Sequence, residues 1–226
     1  TVIILKKEYN RPNKRRSGRL QAKGVSHQTA SGSIRRLCTS SGTRQLYEDL
    51  DQVCAFPNIL RQHISRLPQP LPCPFLTRYI QHKDAVVGGV IDGSGGILDA
   101  GIIKRAFIIV LHNGGFGALN ENRDDDETEV TKEQLDALER DPYLRQFRAE
   151  IRVATDRLIE ARPGLWDEVL GLKDSKDKRN TKGTFISYLC QETEDELTRA
   201  AAEYLTGQGW VVGVLIFDGL MVEVRF

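Results

Sequence analysis

The sequence predicts an α+β fold, and three features carry that prediction. A β-prone run at Leu46 to Val53 (Leu-Tyr-Glu-Asp-Leu-Asp-Gln-Val) delivers carboxylates to the end of a strand. A second β-rich stretch, Trp210 to Phe217, then Asp218-Gly219, then Leu220 to Phe226, has the form of a hairpin around an Asp-Gly turn. Between these two, Leu144, Phe147, Ile151, Ala154 and Leu158 fall at helical spacing, as do Phe185, Leu189, Glu192 and Glu196 with flanking apolar positions. Two long helices are therefore expected between residues 143 and 206. With 226 residues, 40% of them apolar, the chain can form one domain or one and a half around a sizeable core.

The elements follow in order. Residues 1 to 36 hold ten Lys or Arg against one acid, Glu8, so this arm carries +9 and the remainder −8 within a whole-chain charge of +1. Its interspersed Asn, Ser, Gly and Gln predict a mobile segment over residues 1–32, which either tracks a phosphate backbone through counterion release or is a plain solvated tail. Ser33 to Thr43 is short and turn-rich and leads into the first strand. Pro57 stands at a first helical position for a helix over Asn58 to Ser65, with Ile59, Leu60 and Ile64 on one face. Leu67 to Pro74 has prolines in alternate places and reads as an extended connector. Gly88 to Gly96 reads as a flexible loop; as a phosphate cradle it lacks both the Gly-Lys-Ser/Thr ending and the Gly-x-Gly-x-x-Gly order. A helix over Asp99 to His112 stops at Gly114-Gly115. The acidic run Arg123 to Glu127 reads as a solvated linker without the alternating oxygens of an EF-hand, and Thr131 to Gln134 as a capping box. Lys173 to Lys182 is a charged loop suited to a phosphate backbone, and equally to any surface turn.

Composition excludes several classes. Cys38, Cys54, Cys73 and Cys190 show neither Cys-x-x-Cys spacing nor His pairing, which argues for buried free thiols over a zinc site or a disulfide framework. No apolar stretch reaches the roughly 18 residues that cross a bilayer, and the first residues lack the order of a signal peptide. The expectation is an intracellular protein, nuclear or cytoplasmic, with no membrane partner. The chain begins without Met and stops just after the hairpin, as a piece of a polyprotein or multidomain protein would.

An Asp at a hairpin turn is most often only turn chemistry. Here an apolar hairpin with Asp218 at its tip follows a long helix and an earlier strand that ends in Asp51. Paired carboxylates of this kind hold two cations about 4 Å apart, one to lower the pKa of an attacking hydroxyl and one to neutralise a pyrophosphate leaving group. Asp51, Lys104 and Asp218 resemble, in order and spacing, the A, B and C motifs of family A DNA polymerases, with separations of 53 positions from the first to the second and 114 from the second to the third. Tyr47-Glu48-Asp49-Leu50-Asp51 with Pro57, the Gly114-Gly115 pair, and Asn180, Gly183, Phe185, Ser187, Gln191 and Glu194 before Phe217-Asp218-Gly219 resemble most closely that family's transposon and viral branch. In that branch the polymerase is commonly fused to a superfamily three helicase. The resemblance spans about residues 33 to 226.

The resemblance implies a polymerase-like right hand: an antiparallel palm sheet with a helical fingers subdomain. Residues 33–66 would be the first palm segment, 67–172 the fingers-like region with Pro-rich and Gly-rich loops, and 173–226 the palm helix and catalytic hairpin. Asp51 and Asp218 would be the metal ligands for two Mg2+ ions, with Mn2+ as the alternative, and the Gln52 main chain would add a carbonyl. Lys104 would contact the triphosphate and serve as a catalytic cation, His112 would face the incoming base or template, and Gln191, Arg179 and Asn180 would contact nucleic acid. His112 also reads as a helix-end residue facing the dipole, and Gln191 as an ordinary helical glutamine. The partners implied are a DNA primer and template, nucleoside triphosphates and a fused or separate helicase. There are departures from the pattern: Ala100 stands where the family has Arg, His112-Asn113 where it has Tyr-Gly, and Cys54-Ala55-Phe56-Pro57 where the branch has Asn-Ala-His-Pro. These leave two alternatives to a replicative nucleotidyltransferase: a catalytically weakened nucleic-acid-binding remnant, or a small nucleotide-binding domain around Gly88 to Gly96.

Overall fold

The computed structural model describes residues 9–10, 21–22, 40–41, 44–45, 47–121, 129–172, 180–216 and 219–224, with the backbone alone for those before Tyr47, for Asp49 and for 214–216. Most of the basic arm, the acidic run and Lys173 to Arg179 lie outside the described residues. In chain order the elements are β1 (Tyr9–Asn10), β2 (Gln21–Ala22), β3 (Ser40–Ser41), β4 (Arg44–Gln45), β5 (Tyr47–Asp51), α1 (Ala55–Ser65), α2 (Pro74–Gln81) and α3 (Lys83–Gly93). There follow α4 (Ala100–Leu111), α5 (Ala118–Glu121), α6 (Lys132–Arg140), α7 (Pro142–Ala161), α8 (Pro163–Leu172), α9 (Thr181–Gly207), β6 (Val212–Ile216) and β7 (Gly219–Glu223). They form two compact units, one from residues 1–56 with 188–226 and the other from 57–187.

In the first unit β1 pairs with β2 and β3 with β4, two residues each. The larger sheet has the order β5-β7-β6, antiparallel throughout. β7 is its central strand, and Leu220, Met221 and Val222 are all buried, the pattern of a strand covered on both faces. β5 stops at Asp51, two residues before the predicted end at Val53, because its ladder ends where β7 begins, at the pair Asp51↔Gly219. β6 joins β7 through a register shift between Val212 and Val214. At that bulge a Cβ on Gly213 would lie 2.7 Å from Cε1 of Tyr47, so the glycine leaves room for the tyrosine ring.

The buried stripe of α9 differs from the predicted one. Ile186, Cys190, Glu194 and Thr198, four residues apart, are all buried, with Asp195 beside them, whereas Glu196 is exposed. Polar side chains therefore continue a stripe that the apolar pattern alone does not trace beyond Cys190.

The second unit is helical and built on an aromatic cluster. Phe107 of α4 stacks on Tyr79 of α2 with ring centroids 4.3 Å apart and meets Phe147 of α7 edge-on at 5.1 Å. Leu144, Phe147, Ile151, Ala154 and Leu158 are buried along α7, as their spacing predicts. α4 starts on Asp99, whose carboxylate accepts from the Ile102 N–H at 2.8 Å, and α6 starts on the capping box of Thr131 and Gln134. α1 begins at Ala55, earlier than predicted, so Pro57 lies within its first turn, where the missing N–H leaves no helical bond unmade.

The Gly88 to Gly96 loop is corrected outright. α3 runs through Gly88, Gly89 and Gly93, and only 94–96 turn, with Gly95 and Gly96 at positive φ. Val86, Val87 and Val90 are buried on α3, and that packing outweighs the roughly 1 kcal/mol by which each helical glycine falls short of alanine. The stop of α4 also differs. Asn113, at φ 58°, takes the left-handed position, and Gly114 donates to the Ile109 carbonyl at 2.8 Å. Gly114 is required for space instead, since a Cβ there would lie 2.7 Å from Cγ2 of Ile109.

One long-range contact fixes how α2 starts. Cys73, its N-cap, supplies no side-chain bond, and Glu150 of α7 accepts instead from the N–H groups of Phe75 (3.1 Å) and Leu76 (2.7 Å). The Tyr143 hydroxyl donates to the Phe75 carbonyl at 2.7 Å beside them. Burial raises the Glu150 carboxyl above its ordinary range, and the two N–H donors offset part of that; burial and Glu150 together push the Cys73 thiol up to about 11. An acid whose pKa is raised on folding binds its proton more tightly in the folded state, so its contribution to stability falls as pH rises from the ordinary carboxyl value to the raised one. Glu150→Gln keeps an acceptor for one N–H and removes this titration. Urea denaturation from pH 4 to 7 is expected to show a flatter pH profile for the variant, and an unchanged slope would count against the Glu150 contact.

Candidate functional site

At the end of β5, Asp51 is exposed and faces Gly219 across the ladder. A Cβ on Gly219 would collide with Oδ1 of Asp51, so the carboxylate occupies the space that the missing side chain leaves. Gly219 has no positive φ, so this close approach is what requires glycine there. Asp218, the residue before it, and Arg179 lie outside the described residues. Gln52 turns its side chain toward α9, where Nε2 donates to the Thr198 hydroxyl at 3.3 Å. The side-chain amide thus fixes the turn after Asp51, and the predicted contribution of this residue was its main-chain carbonyl.

The turn that follows is strained. Cys54 adopts φ 50°, a left-handed conformation that Asn tolerates better than Cys, and Val53 beside it is 86% exposed. Gln191 is half-buried on α9, one turn before the buried carboxylates Glu194 (3% exposed) and Asp195. Asp195 is paired with Arg199 at 3.3 Å, and burial, with a smaller effect from Glu194, raises the Cys190 thiol. Sequence reasoning missed this buried acidic pair. The four-residue step from Ile186 through Cys190 and Glu194 to Thr198 was the signal that could have found it.

Lys104, His112 and Asn180 belong to the second unit, whereas Asp51, Gln52 and Gln191 belong to the first. Lys104 is exposed on α4 and pairs with no carboxylate among the described residues. Ile108, one turn on, is 55% exposed, so this face of α4 presents a cation beside bare apolar surface. His112 caps α4, and burial lowers its pKa, so its imidazole is neutral at pH 7 and does not act on the helix dipole as a cation. Asn180 is committed to structure: its amide N–H donates to the His112 carbonyl at 2.8 Å and its Oδ1 accepts from the Gly183 N–H at 2.9 Å. Gly183 is pressed against the same carbonyl, where any Cβ would collide with the His112 oxygen and with Nδ2 of Asn180. The end of α4 and the start of α9 are thereby tied into one knot. Arg148 supports the other side, its guanidinium 5.3 Å from the Phe116 ring centroid and bonded to Glu139 at 2.8 Å.

No group of three or more His, Cys, Asp or Glu is placed to hold a metal among the described residues. Nor is any of their helices long and apolar enough to cross a membrane. The chain is similar to a helicase-named protein, V13, of Sputnik virophage, with 23% identity over 208 residues. That match covers 92% of this chain and 24% of the virophage protein, so the chain spans about a quarter of its relative's length. No protein-family model matches the chain.

The geometry sets two expectations. Gly183→Ala forces apart the α4–α9 knot and is expected to lower stability by about 1–3 kcal/mol, the range for overpacking; thermal denaturation within 0.3 kcal/mol of the parent would show that the knot yields freely. Cys54→Asn places a residue that tolerates the left-handed region at φ 50° and is expected to raise stability by about 0.5–1 kcal/mol, the scale of relieved backbone strain. A loss of stability in urea denaturation would contradict that account of the turn.

Proposed function

We propose that the chain is a template-directed nucleotidyltransferase, a DNA polymerase or primase-polymerase that acts in the replication of a virus or mobile element by phosphoryl transfer. The observation that carries the reading is the β5–β7 register. It sets Asp51 opposite Gly219, the residue that follows Asp218 in the sequence. The similarity to a virophage protein over nearly the whole chain supports the viral context. That protein's helicase name is not carried over, because the shared stretch is a quarter of it and Gly-x4-Gly-Lys-Ser/Thr occurs nowhere in these 226 residues.

The donors fit a hard divalent cation, being all oxygen: the Asp51 carboxylate, exposed at the strand end, the Gln52 carbonyl after it, and the Asp218 carboxylate. Two Mg2+ ions, when bound, would acidify the primer 3′-hydroxyl and neutralise the leaving pyrophosphate. The residues of the chain would do the rest. The Gln52 to Thr198 bond holds the turn that follows Asp51, and Gly219 keeps space for its carboxylate. Lys104, exposed and unpaired by any described carboxylate, would meet the triphosphate as a point charge. With the Gly88 to Gly96 segment largely helical, the nucleotide-loop alternative loses its loop. The weakened-remnant alternative is an outcome of the test.

Primer extension on a primed DNA template, with Mg2+ and the four deoxynucleoside triphosphates, is expected to give product. Asp51→Asn and Asp218→Asn should each lower the rate by at least about a hundredfold, the scale for removing a group that stabilises charge in the transition state. DNA binding without extension would leave the remnant reading in place, and extension unaffected by both substitutions would overturn the assignment.

A further inference from the structure

A cleft of about 600 Å³ lies wholly within the helical unit, between α2, α3 and the junction of α6 with α7. Its floor is the face of α3 that carries Ala85, Gly89 and Gly93, and its walls include Arg78, Arg140 and Tyr143. The size is that of a ligand site. The Tyr143 hydroxyl donates to the Phe75 carbonyl, the Ser94 hydroxyl to the Ile91 carbonyl, and Asp141 accepts from the Leu144 N–H as the cap of α7. Arg78 meets only the face of the Tyr143 ring, 5.8 Å from its centroid, and Arg140 gives its Nε to the Asp136 carbonyl; neither pairs with a carboxylate among the described residues. The cleft therefore offers two guanidinium groups that no described carboxylate pairs with, against the single carboxylate of Asp141, whose Oδ1 is already engaged by the Leu144 N–H.

The floor adds a second observation. A Cβ on Gly89 would meet nothing within 4 Å, and one on Gly93 only Oδ2 of Asp141 at 3.7 Å. Packing within the protein therefore does not require glycine at either position, and glycine is a poor helix former. Their effect is to keep the cleft deep and its floor bare, so that a ligand can approach the helix backbone.

We propose that this cleft is a binding groove for the phosphodiester backbone of single-stranded nucleic acid, held by the Arg78 and Arg140 guanidinium groups over the bare face of α3. Two cations on one groove match successive phosphates, and the Arg78–Tyr143 stack offers a flat surface to a neighbouring base. The groove has room for about two nucleotides and is too small for a duplex about 20 Å wide.

The test is fluorescence anisotropy of a labelled twelve-nucleotide oligothymidylate with the full chain, in Mg2+-free buffer and in an Asp218→Asn background. Failure of strand binding is then separate from failure of the polymerase reading, which the extension assay alone decides. Gly89→Leu puts a side chain into the groove at a position where a Cβ meets nothing within 4 Å, and is expected to weaken binding about tenfold or more while the helix is retained, since leucine is the better helix former. Arg78→Ala with Arg140→Ala should weaken binding by a similar factor and lower the slope of log K against log salt by about 1.4, at roughly 0.7 per lost phosphate contact. Should Gly89→Leu not fold, Gly93→Leu reads the same groove. Parent-like affinity in the filled variant overturns the proposal whatever the arginine pair does, as does absence of oligonucleotide binding by the parent. A deoxynucleoside triphosphate arm completes the test: if triphosphate affinity falls in the filled variant and oligonucleotide affinity does not, the groove is a nucleotide site and the strand assignment is overturned.

Discussion

The pairing of β5 with β7 is the contact on which the first unit depends. It joins Tyr47–Asp51 to Gly219–Glu223 across almost the whole chain, and the entire helical unit is the loop it closes. The entropy of closing so long a loop grows only with the logarithm of its length, by about 0.6 kcal/mol for each doubling. A central strand with three consecutive buried residues, Leu220, Met221 and Val222, can offset that. The helical unit has an aromatic core of its own, from Tyr79 through Phe107 to Phe147, so it does not rely on the sheet for a hydrophobic interior.

The same pairing disciplines the carboxylate at the strand end. β7 begins immediately after Asp218, so the ladder terminates at Asp51↔Gly219 and cannot include Gln52 or Val53. The Asp-Gly dipeptide reads from sequence as turn chemistry, yet Gly219 is a strand residue without positive φ, and its role is to make room for Oδ1 of Asp51. A motif chosen for one physical reason turns out to satisfy another, and the substitution it forbids is the addition of a side chain.

Much of the fold was legible where a local rule acts alone. The capping box at Thr131, the Asp99 cap of α4, the α7 stripe and the hairpin each follow from spacing or from a single side chain. What was not legible depended on tertiary contacts. Three valines packed on one helix override the three glycines Gly88, Gly89 and Gly93, so composition pointed to a loop where α3 stands. Glu194, Asp195 and Thr198 are buried because the α9 stripe continues through them, while their polarity assigns them to the surface. Of the residues singled out in the sequence, Asp51 and Lys104 are exposed, whereas Gln52 and Asn180 are held by side-chain bonds that only three-dimensional neighbours could reveal.

The departure at Cys54 can be weighed in the same terms. On the proposed polymerase reading, Cys54-Ala55-Phe56-Pro57 stands where Asn-Ala-His-Pro would follow the metal-binding Asp, and the loss of two polar residues there would suggest a damaged site. The backbone points elsewhere. Cys54 sits at φ 50°, where Asn is several-fold enriched among non-glycine residues. On this geometry the first residue of that motif serves the turn out of β5, and its replacement by Cys adds strain of about 1 kcal/mol without taking a ligand from Asp51. The turn is held by the Asp51↔Gly219 pair before it and by the Gln52 to Thr198 bond within it. Strain of this kind persists where surrounding contacts over-determine the backbone, and those two contacts are the ones that do so at Cys54.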